Sequence, residues 1–381
     1  MVERLHGKQK AEGSNPSRGL FVNAARIFKD SLSILLMYMD SEKERKNPNI
    51  EETVPENPFE YGEIRTDYRT GCLSIFALSR KDRPIDYIAK EIVEDKGKEN
   101  CPFEPEKYEL NKTFFEIGDP WRVRVIYNKY PILDYRAADV HKADGIFKKL
   151  PNYGYSFVII DTREHSKRFE RFFKGEIEDL SSAIAETERR TFLDKGISFV
   201  YLNKNFGRKS GGTLSHSHWQ AIGFSEIKGI MEMRLEKVKE FKSRNGSCLL
   251  EHAIENEKER MIFENENIAA FAPFAQLYTG ETVVVPKRHV SMLSELSDKE
   301  LAQMFSACKR IVAANNAYFG IHPYNILGYS LKYEKDFHFY MEIIPRISDI
   351  GPTQMLGYYG SSIMPEDYAV EMRKIIKGQG L

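Results

Sequence analysis

The chain lacks the features that would commit it to a membrane, an oxidising compartment or a polyanion. Its longest apolar run near the start, Ile34–Met39, falls far short of the ~20 residues a bilayer-spanning helix needs. Its four cysteines, Cys72, Cys101, Cys248 and Cys308, stand far apart. They build no disulfide framework, which points to a reducing compartment, read here as the cytoplasm. Lys plus Arg and Asp plus Glu are both 56, so the formal net charge is zero. A balanced chain has no global pull toward nucleic acid or a membrane, and any phosphate binding must come from a local cluster. What is present is 41% apolar residues in a chain of 381, enough to bury a substantial core in two or three domains.

Residues 1–60 read as tail and linker. The first forty are basic and poor in acid, which weakly imitates a transit peptide and equally fits a disordered tail. A third reading is that they are not translated. Gly13-Ser14-Asn15-Pro16 is what a common segment of transfer-RNA genes encodes in frame, which would move the start to Met37 or Met39. Residues 40–60 are charged and carry Pro48, Pro55 and Pro58, as a linker does.

Structure is expected from about Gly62. A hairpin pattern turns at Thr70-Gly71 into the strand Cys72–Leu78, and Trp121–Asn128 alternates as a strand. One unit then appears twice. In the first copy the strand Tyr155–Ile160 runs into Glu164-His165. A helix with Ile177, Leu180 and Ile184 on one face follows, then the strand Ile197–Leu202, a glycine-bearing loop and His216-Ser217-His218-Trp219-Gln220. In the second, Thr282–Pro286 runs into Arg288-His289. A helix opens with the capping box Ser297-x-x-Glu300 and buries Leu301, Met304, Phe305, Cys308, Ile311 and Val312. Tyr324–Leu327 and Phe337–Ile344 close the unit. His165 lies 53 residues before His218, and His289 lies 49 before His338. The class is therefore α+β, two tandem halves at 61–235 and 236–381, each an antiparallel sheet with packed helices, joined by the Lys- and Glu-rich stretch 225–250.

The sharpest chemical signal is His216-x-His218-x-Gln220. Residues two apart in a strand share a face, so the three would line one surface. The preceding loop carries Gly207, Gly211 and Gly212, which let backbone N–H groups approach an anion, and Lys204, Arg208 and Lys209 add positive charge. A neutral imidazole is a competent nucleophile near pH 7, and the Gln220 amide can donate to charge developing on phosphoryl oxygens. One histidine must stay free; the other can be tied down. Cys101-x-x-Glu104 with His165 and His216 offers four metal ligands, although Cys101 reads equally as a small buried residue and Glu104 as a solvated charge. Arg80-x-x-Arg83 is either a phosphate fork or a charged turn.

Together these pieces resemble the galactose-1-phosphate uridylyltransferase family of histidine-triad nucleotidyltransferases, from about residue 62 to 375. The segments that carry the likeness are Arg65-Thr66-Asp67 through Arg80-x-x-Arg83-Pro84, Cys101–Glu104, Val123–Pro131, Glu164-His165-Ser166, Asn203-Lys204, the His-Ser-His-Trp-Gln motif, Val285–His289 and His338 through Pro345-Arg346. The resemblance implies two histidine-triad-like halves working as a homodimer, with a covalent nucleotidyl intermediate on His218 steadied by Gln220. It implies that Asn203, Gly212 and Thr213 contact phosphate, that Arg80, Arg83 and Asn128 hold the nucleotide, and that Tyr358 contacts substrate. It also implies zinc held by Cys101, Glu104, His165 and His216, with Glu104 standing where the family has Cys. Other departures are Ser217 in place of Pro, Trp219, expected to narrow the pocket or stack on a partner, and Tyr359 in place of a hexose-binding Glu. A second, iron-type site is expected to be lost, with only His338 left of its ligands.

The implied substrates are a nucleotide sugar and a sugar 1-phosphate. The first function expected is transfer of UMP between a UDP-hexose and a hexose 1-phosphate, in galactose metabolism. The alternatives are an ADP-sugar or dinucleoside-polyphosphate phosphorylase or adenylyltransferase using the same covalent step, and a non-catalytic nucleotide-binding protein on the same fold.

Overall fold

Strand periodicity and two long amphipathic helices account for most of the architecture. The computed structural model describes residues 62–77, 97–137, 142–144, 147–149 and 151–379. The tail and linker expected at 1–60, and the pair Arg80 and Arg83, lie outside the described residues.

In chain order the elements are β1 (Gly62–Thr66), β2 (Leu73–Ala77), β3 (Thr113–Ile117), β4 (Val123–Tyr127), β5 (Lys142–Asp144), β6 (Phe147–Lys149), β7 (Gly154–Ile160), α1 (Lys174–Thr191), β8 (Phe199–Phe206) and β9 (His218–Phe224). They continue with α2 (Ile230–Asn245), α3 (Leu249–Asn256), β10 (Met261–Glu264), β11 (Ile268–Phe271), β12 (Thr282–Pro286), α4 (Asp298–Phe319), β13 (Tyr324–Leu331), β14 (Met341–Pro345), α5 (Pro352–Met355), β15 (Tyr358–Ser361) and α6 (Pro365–Gln379). The hairpin β1–β2 turns at Gly71, whose φ of 79° is the left-handed conformation glycine tolerates best. The capping box of α4 is formed: Ser297 N–H donates to the Glu300 carboxylate at 2.8 Å and Glu300 N–H donates to Ser297 Oγ. The expected apolar stripe of α4 is buried from Leu301 to Val312, as are Ile177, Leu180 and Ile184 of α1.

One ten-stranded sheet runs β10-β11-β12-β14-β13-β8-β9-β7-β4-β3, antiparallel at every pairing. Its right-hand five strands come from residues 113–224 and its left-hand five from 261–345, in mirrored order. The two sets meet where β8 pairs with β13 from Phe199↔Leu331 to Tyr324↔Phe206. Gln220 pairs with Asn203, Asn203 with Leu327, and Leu327 with Glu342, so a two-fold through Asn203↔Leu327 carries Gln220 onto Glu342 and His218 onto Tyr340. The two tandem antiparallel halves expected from the sequence are present, fused into a single sheet. β15 extends a separate three-stranded sheet by pairing in parallel with β2.

The faces of the large sheet have different covers. One packs under α1, α4 and α6, with Phe157, Trp219, Phe305, Met341 and Tyr368 in its core. On the other, α2 and α3 bury Val283, Val285, Tyr329 and Tyr340, while Cys101, Phe103 and Trp121 cover Val158 and Ile160. The stretch read as a joining segment at 225–250 is thus mostly helix, and its apolar residues Met231, Leu235, Val238 and Leu249 close the second face. Among the described residues no helix is long and apolar enough to cross a membrane.

Candidate active site

The second face of the first half presents three polar side chains in phase. β9 begins at His218, so the two-residue period places His218 and Gln220 on one face, and Asn203 lies directly across β8 from Gln220. His218 is 8% exposed, with the Phe103 ring edge-on at 5.2 Å. Its Nδ1 lies 2.8 Å from the carbonyl oxygen of His216. A carbonyl only accepts, so Nδ1 carries the proton and Nε2 keeps its lone pair. Burial, aided by the Lys204 charge and opposed by the His216 carbonyl, holds the imidazole pKa down to about 4, and the ring is neutral at pH 7. Among the described residues, His218 Nε2 and the side-chain amides of Gln220 and Asn203 make no hydrogen bond. A neutral nucleophile beside two unspent amides is an arrangement for attack on an electrophile that develops negative charge.

His216 plays a different part. It precedes β9, outside the paired strand, and its ring enters a buried quartet with Cys101, Glu104 and His165. The four ligand atoms lie within 4.8 Å of one another. Glu104 Oε1 contacts Nδ1 of His165 and, at 3.2 Å, Nδ1 of His216, and Cys101 Sγ is 3.5 Å from the same His216 nitrogen. His216 Nε2–H donates to the Thr162 carbonyl at 2.8 Å, which aims Nδ1 into the quartet as the outer contacts of metal-binding histidines do. A thiolate, a carboxylate and two imidazoles converging from three chain segments fit a four-coordinate metal site.

A second quartet, Cys248, Glu251, His289 and His338, brings its ligand atoms within 4.8 Å of one another, adding three potential ligands beside His338 that the sequence reading does not single out. Cys248 Sγ lies 3.4 Å from His338 Nδ1, and His338 Nε2–H donates to the Pro286 carbonyl at 2.8 Å, repeating the geometry around His216. Here Glu251 and His289 keep side-chain exposures of 45% and 31%, so this quartet is partly open where the first is sealed. The signal was in the sequence: Cys248-Leu249-Leu250-Glu251 repeats the Cys-x-x-Glu of residues 101–104. His338 therefore corresponds to His216, not to His218. The counterpart of His218 is Tyr340 and that of Gln220 is Glu342, whose carboxylate binds Arg234 at 3.0 Å and Arg69 at 2.7 Å. Guanidinium groups thus fill the second half's equivalent of the face that carries His218 and Gln220.

Three further expectations change. Trp219 alternates with His218 and Gln220, so it faces the opposite side of the sheet. It is fully buried between Phe169 at 5.5 Å and Phe305 at 5.4 Å, and neither narrows a pocket nor meets a partner. The charge of Lys204 is not offered to a ligand: it is 2% exposed and its ammonium is bound to Asp161 at 2.9 Å. In the glycine loop, the N–H groups of Ser210, Gly211 and Gly212 donate within the loop to Gly207, Arg208 and Gly207. Glycine is required at 207 because φ is 84° and a Cβ would stand 2.8 Å from Pro323, so the loop is shaped by packing on the second half. Lys209 pairs with Asp349 at 3.1 Å.

Thr213 is exposed at the loop's exit. Asn128 closes β4, where its Oδ1 accepts from Tyr130 N–H at 2.9 Å. Tyr358 sits 42% exposed on β15, in the other sheet, and Tyr359 beside it packs edge-on against Tyr278. His218, Gln220 and Asn203 are thus brought together, while Tyr358 belongs to a separate layer.

Comparison with known proteins agrees with this geometry. The HIT domain family matches residues 255–338. The ADP-glucose phosphorylase of Arabidopsis thaliana is 26% identical over 82% of this chain and 93% of its own length. The galactose-1-phosphate uridylyltransferase of Thermotoga maritima is 23% identical over 68% and 86%. The crystal structure of an Arabidopsis thaliana ADP-glucose phosphorylase with bound ADP-glucose superposes with a TM-score of 0.71 at 24% identity, covering 82% of this chain and 99% of that one.

Proposed function

Because this chain belongs to the branch of the histidine-triad superfamily that holds galactose-1-phosphate uridylyltransferase and ADP-glucose phosphorylase, we propose that it is a nucleotidyltransferase moving AMP from an ADP-sugar to inorganic phosphate through a covalent intermediate on His218. The observation that carries this reading is the neutral His218, with Nδ1–H engaged and Nε2 free, flanked in register by the unspent amides of Gln220 and Asn203.

In the first step Nε2 bonds to the α-phosphorus as the P–O bond to the β-phosphate breaks, and sugar 1-phosphate leaves. The charge the ring acquires is shared with Nδ1–H, which points at the His216 carbonyl. In the second step a phosphate oxygen attacks the same phosphorus, the N–P bond breaks, and ADP leaves with His218 neutral again. Phosphoryl transfer of this kind needs positioning and donors more than a strong base. Gln220 and Asn203 supply donors for the non-bridging oxygens. Zinc in the sealed quartet of Cys101, Glu104, His165 and His216 would act structurally, fixing the segment whose carbonyl orients His218. Activity in a homodimer belongs to the same reading.

The ADP-sugar reading is supported by the extent of likeness to the plant ADP-glucose phosphorylase and by Tyr359 at the place of the hexose-binding Glu. A second reading is UMP transfer between a UDP-hexose and a hexose 1-phosphate, supported by the likeness to uridylyltransferases. The test is intact-mass analysis after incubation with ADP-glucose or UDP-glucose. An AMP adduct on His218, discharged by phosphate as ADP, is expected. A UMP adduct discharged by a hexose 1-phosphate selects the second reading. Tight nucleotide binding with no adduct from either donor overturns both, and favours a non-catalytic binding protein.

A further inference from the structure

The unusual serine between the two histidines belongs to a buried charged network directly beneath the nucleophile. β8 and β9 pair only as far as Asn203↔Gln220, and β7 ends at Ile160, opposite His218. β7 ends and β9 begins here while β8 runs on to Phe206 beside β13, and no backbone ladder joins β8 to β9 beyond Asn203↔Gln220. Side chains close the gap. Lys204, the residue after Asn203, sends its ammonium to Asp161 Oδ2 at 2.9 Å, to Ser217 Oγ at 2.7 Å and to the His218 carbonyl at 3.3 Å. An ammonium has three donors, and all three are used. Ser217 Oγ–H donates in turn to Asp161 Oδ2 at 3.0 Å. Lys204 and Asp161 are each 2% exposed, and the Lys204 cation lies 5.6 Å from the Phe169 ring and 5.4 Å from the Trp219 ring. A buried ion pair of this quality resists displacement, because each charge loses its only strong partner if the other moves.

We propose that Ser217, Asp161 and Lys204 are positioning residues that tie the His216–His218 backbone to the end of β7 and the body of β8, and so set where His218 Nε2 points. A proline at 217 would restrict this backbone through its ring; Ser217 does so through its hydroxyl, and for that it needs a charged pair to bond to. The chain of contacts is short. Lys204 and Asp161 hold Ser217, Lys204 holds the carbonyl of His218, and the His216 carbonyl on the other side of Ser217 orients the His218 ring at 2.8 Å. None of the three side chains needs to touch the substrate, since Lys204 projects to the face opposite Asn203.

This inference rests on His218 as the nucleophile, and the experiment separates the two claims. Wild type, Ser217→Ala and Ser217→Thr are mixed with ADP-glucose and, separately, UDP-glucose. The rate of adduct formation on His218 is measured at saturating donor, with the donor's half-saturation concentration, metal content and thermal midpoint. Misplacing a reacting group by about 1 Å costs up to ~100-fold in rate, so Ser217→Ala is expected to slow adduct formation about tenfold or more. Its half-saturation concentration, metal content and midpoint are expected to stay near wild type, and Ser217→Thr, which keeps the hydroxyl, to restore the rate. Asp161→Asn is expected to slow the same step, with Ser217→Ala adding little in that background. Unchanged adduct formation in Ser217→Ala overturns the proposal. So does a loss that Ser217→Thr does not recover, or one that follows metal release. If wild type labels with neither donor, it is the assignment of His218 that falls.

Discussion

Truncating each histidine of the doublet should separate two jobs that sequence alone cannot tell apart. His216→Ala removes a ring that is fully buried and holds three partners. The Thr162 carbonyl then loses its donor, at about 1–3 kcal/mol for a buried unsatisfied acceptor. The quartet also loses one of four metal ligands, and a metal present at a thousand times its dissociation constant stabilises the fold by about 4 kcal/mol. The expected loss is on the order of 5 kcal/mol, together with most of the metal from the first quartet. Yet the group that orients His218 is the backbone carbonyl of residue 216, which alanine retains. Adduct formation per folded molecule should therefore stay within about tenfold of wild type. His218→Ala reverses the pattern. It removes one hydrogen bond, worth about 0.5–1.5 kcal/mol, leaves the metal in place, and abolishes the adduct, because both nitrogens of His216 are engaged. Urea unfolding, metal analysis and intact mass read the three quantities. An adduct on His218→Ala, or a stable metal-loaded His216→Ala protein that never labels, refutes this division of roles.

Metal analysis of the whole protein should find two equivalents per chain. A chelator should strip the partly open Cys248–His338 quartet before the sealed one, and Glu251→Ala should remove only the faster-released equivalent; a single release phase unaffected by Glu251→Ala would count against the second quartet as a site. Trp219→Ala should cost about 3–5 kcal/mol, the usual range for a fully buried aromatic, and a change in donor half-saturation without loss of stability would return the indole to the pocket. Hydrogen bonding to Arg288, opposed by burial and helped by Ser297, holds the Glu300 carboxyl down to about 2, against about 4.3 for a free side chain. A depressed carboxylate contributes stability in full above its unfolded pKa and loses it as pH falls toward the folded one. Glu300→Gln should therefore lower the unfolding midpoint at pH 7, with the gap from wild type closing between about pH 4 and pH 2; a constant gap would show that Glu300 acts without its charge.

What the sequence determined by itself was whatever short-range geometry can dictate. The β-branched and aromatic runs of Thr282–Pro286 and Tyr155–Ile160, the stripe and capping box of α4, and the positive-φ turn at Gly71 each depend on neighbours within about four positions. The His216-x-His218 doublet and the first Cys-x-x-Glu stand out for the same reason, being local patterns of chemically unusual residues. The tertiary structure alone decided matters that turn on where a strand begins or on which distant charge arrives. β9 starts at His218, so His216 stands outside the strand ladder and its ring joins the quartet of Cys101, Glu104 and His165, while Trp219, opposite in phase to His218 and Gln220, meets the helix-covered core. Lys204 looks like a phosphate ligand until Asp161, from another strand end, neutralises it. The second quartet repeats a spacing visible in the chain, but its four ligands are assembled only when α3, the residue after the β12 turn and the approach to β14 converge. Arg234 and Arg69 occupy the second half's counterpart of the reacting face only because α2 and the β1–β2 hairpin fold over it. Partners separated by tens or hundreds of residues are chosen by packing and by the cost of burying an unpaired charge, and neither is written in any local pattern.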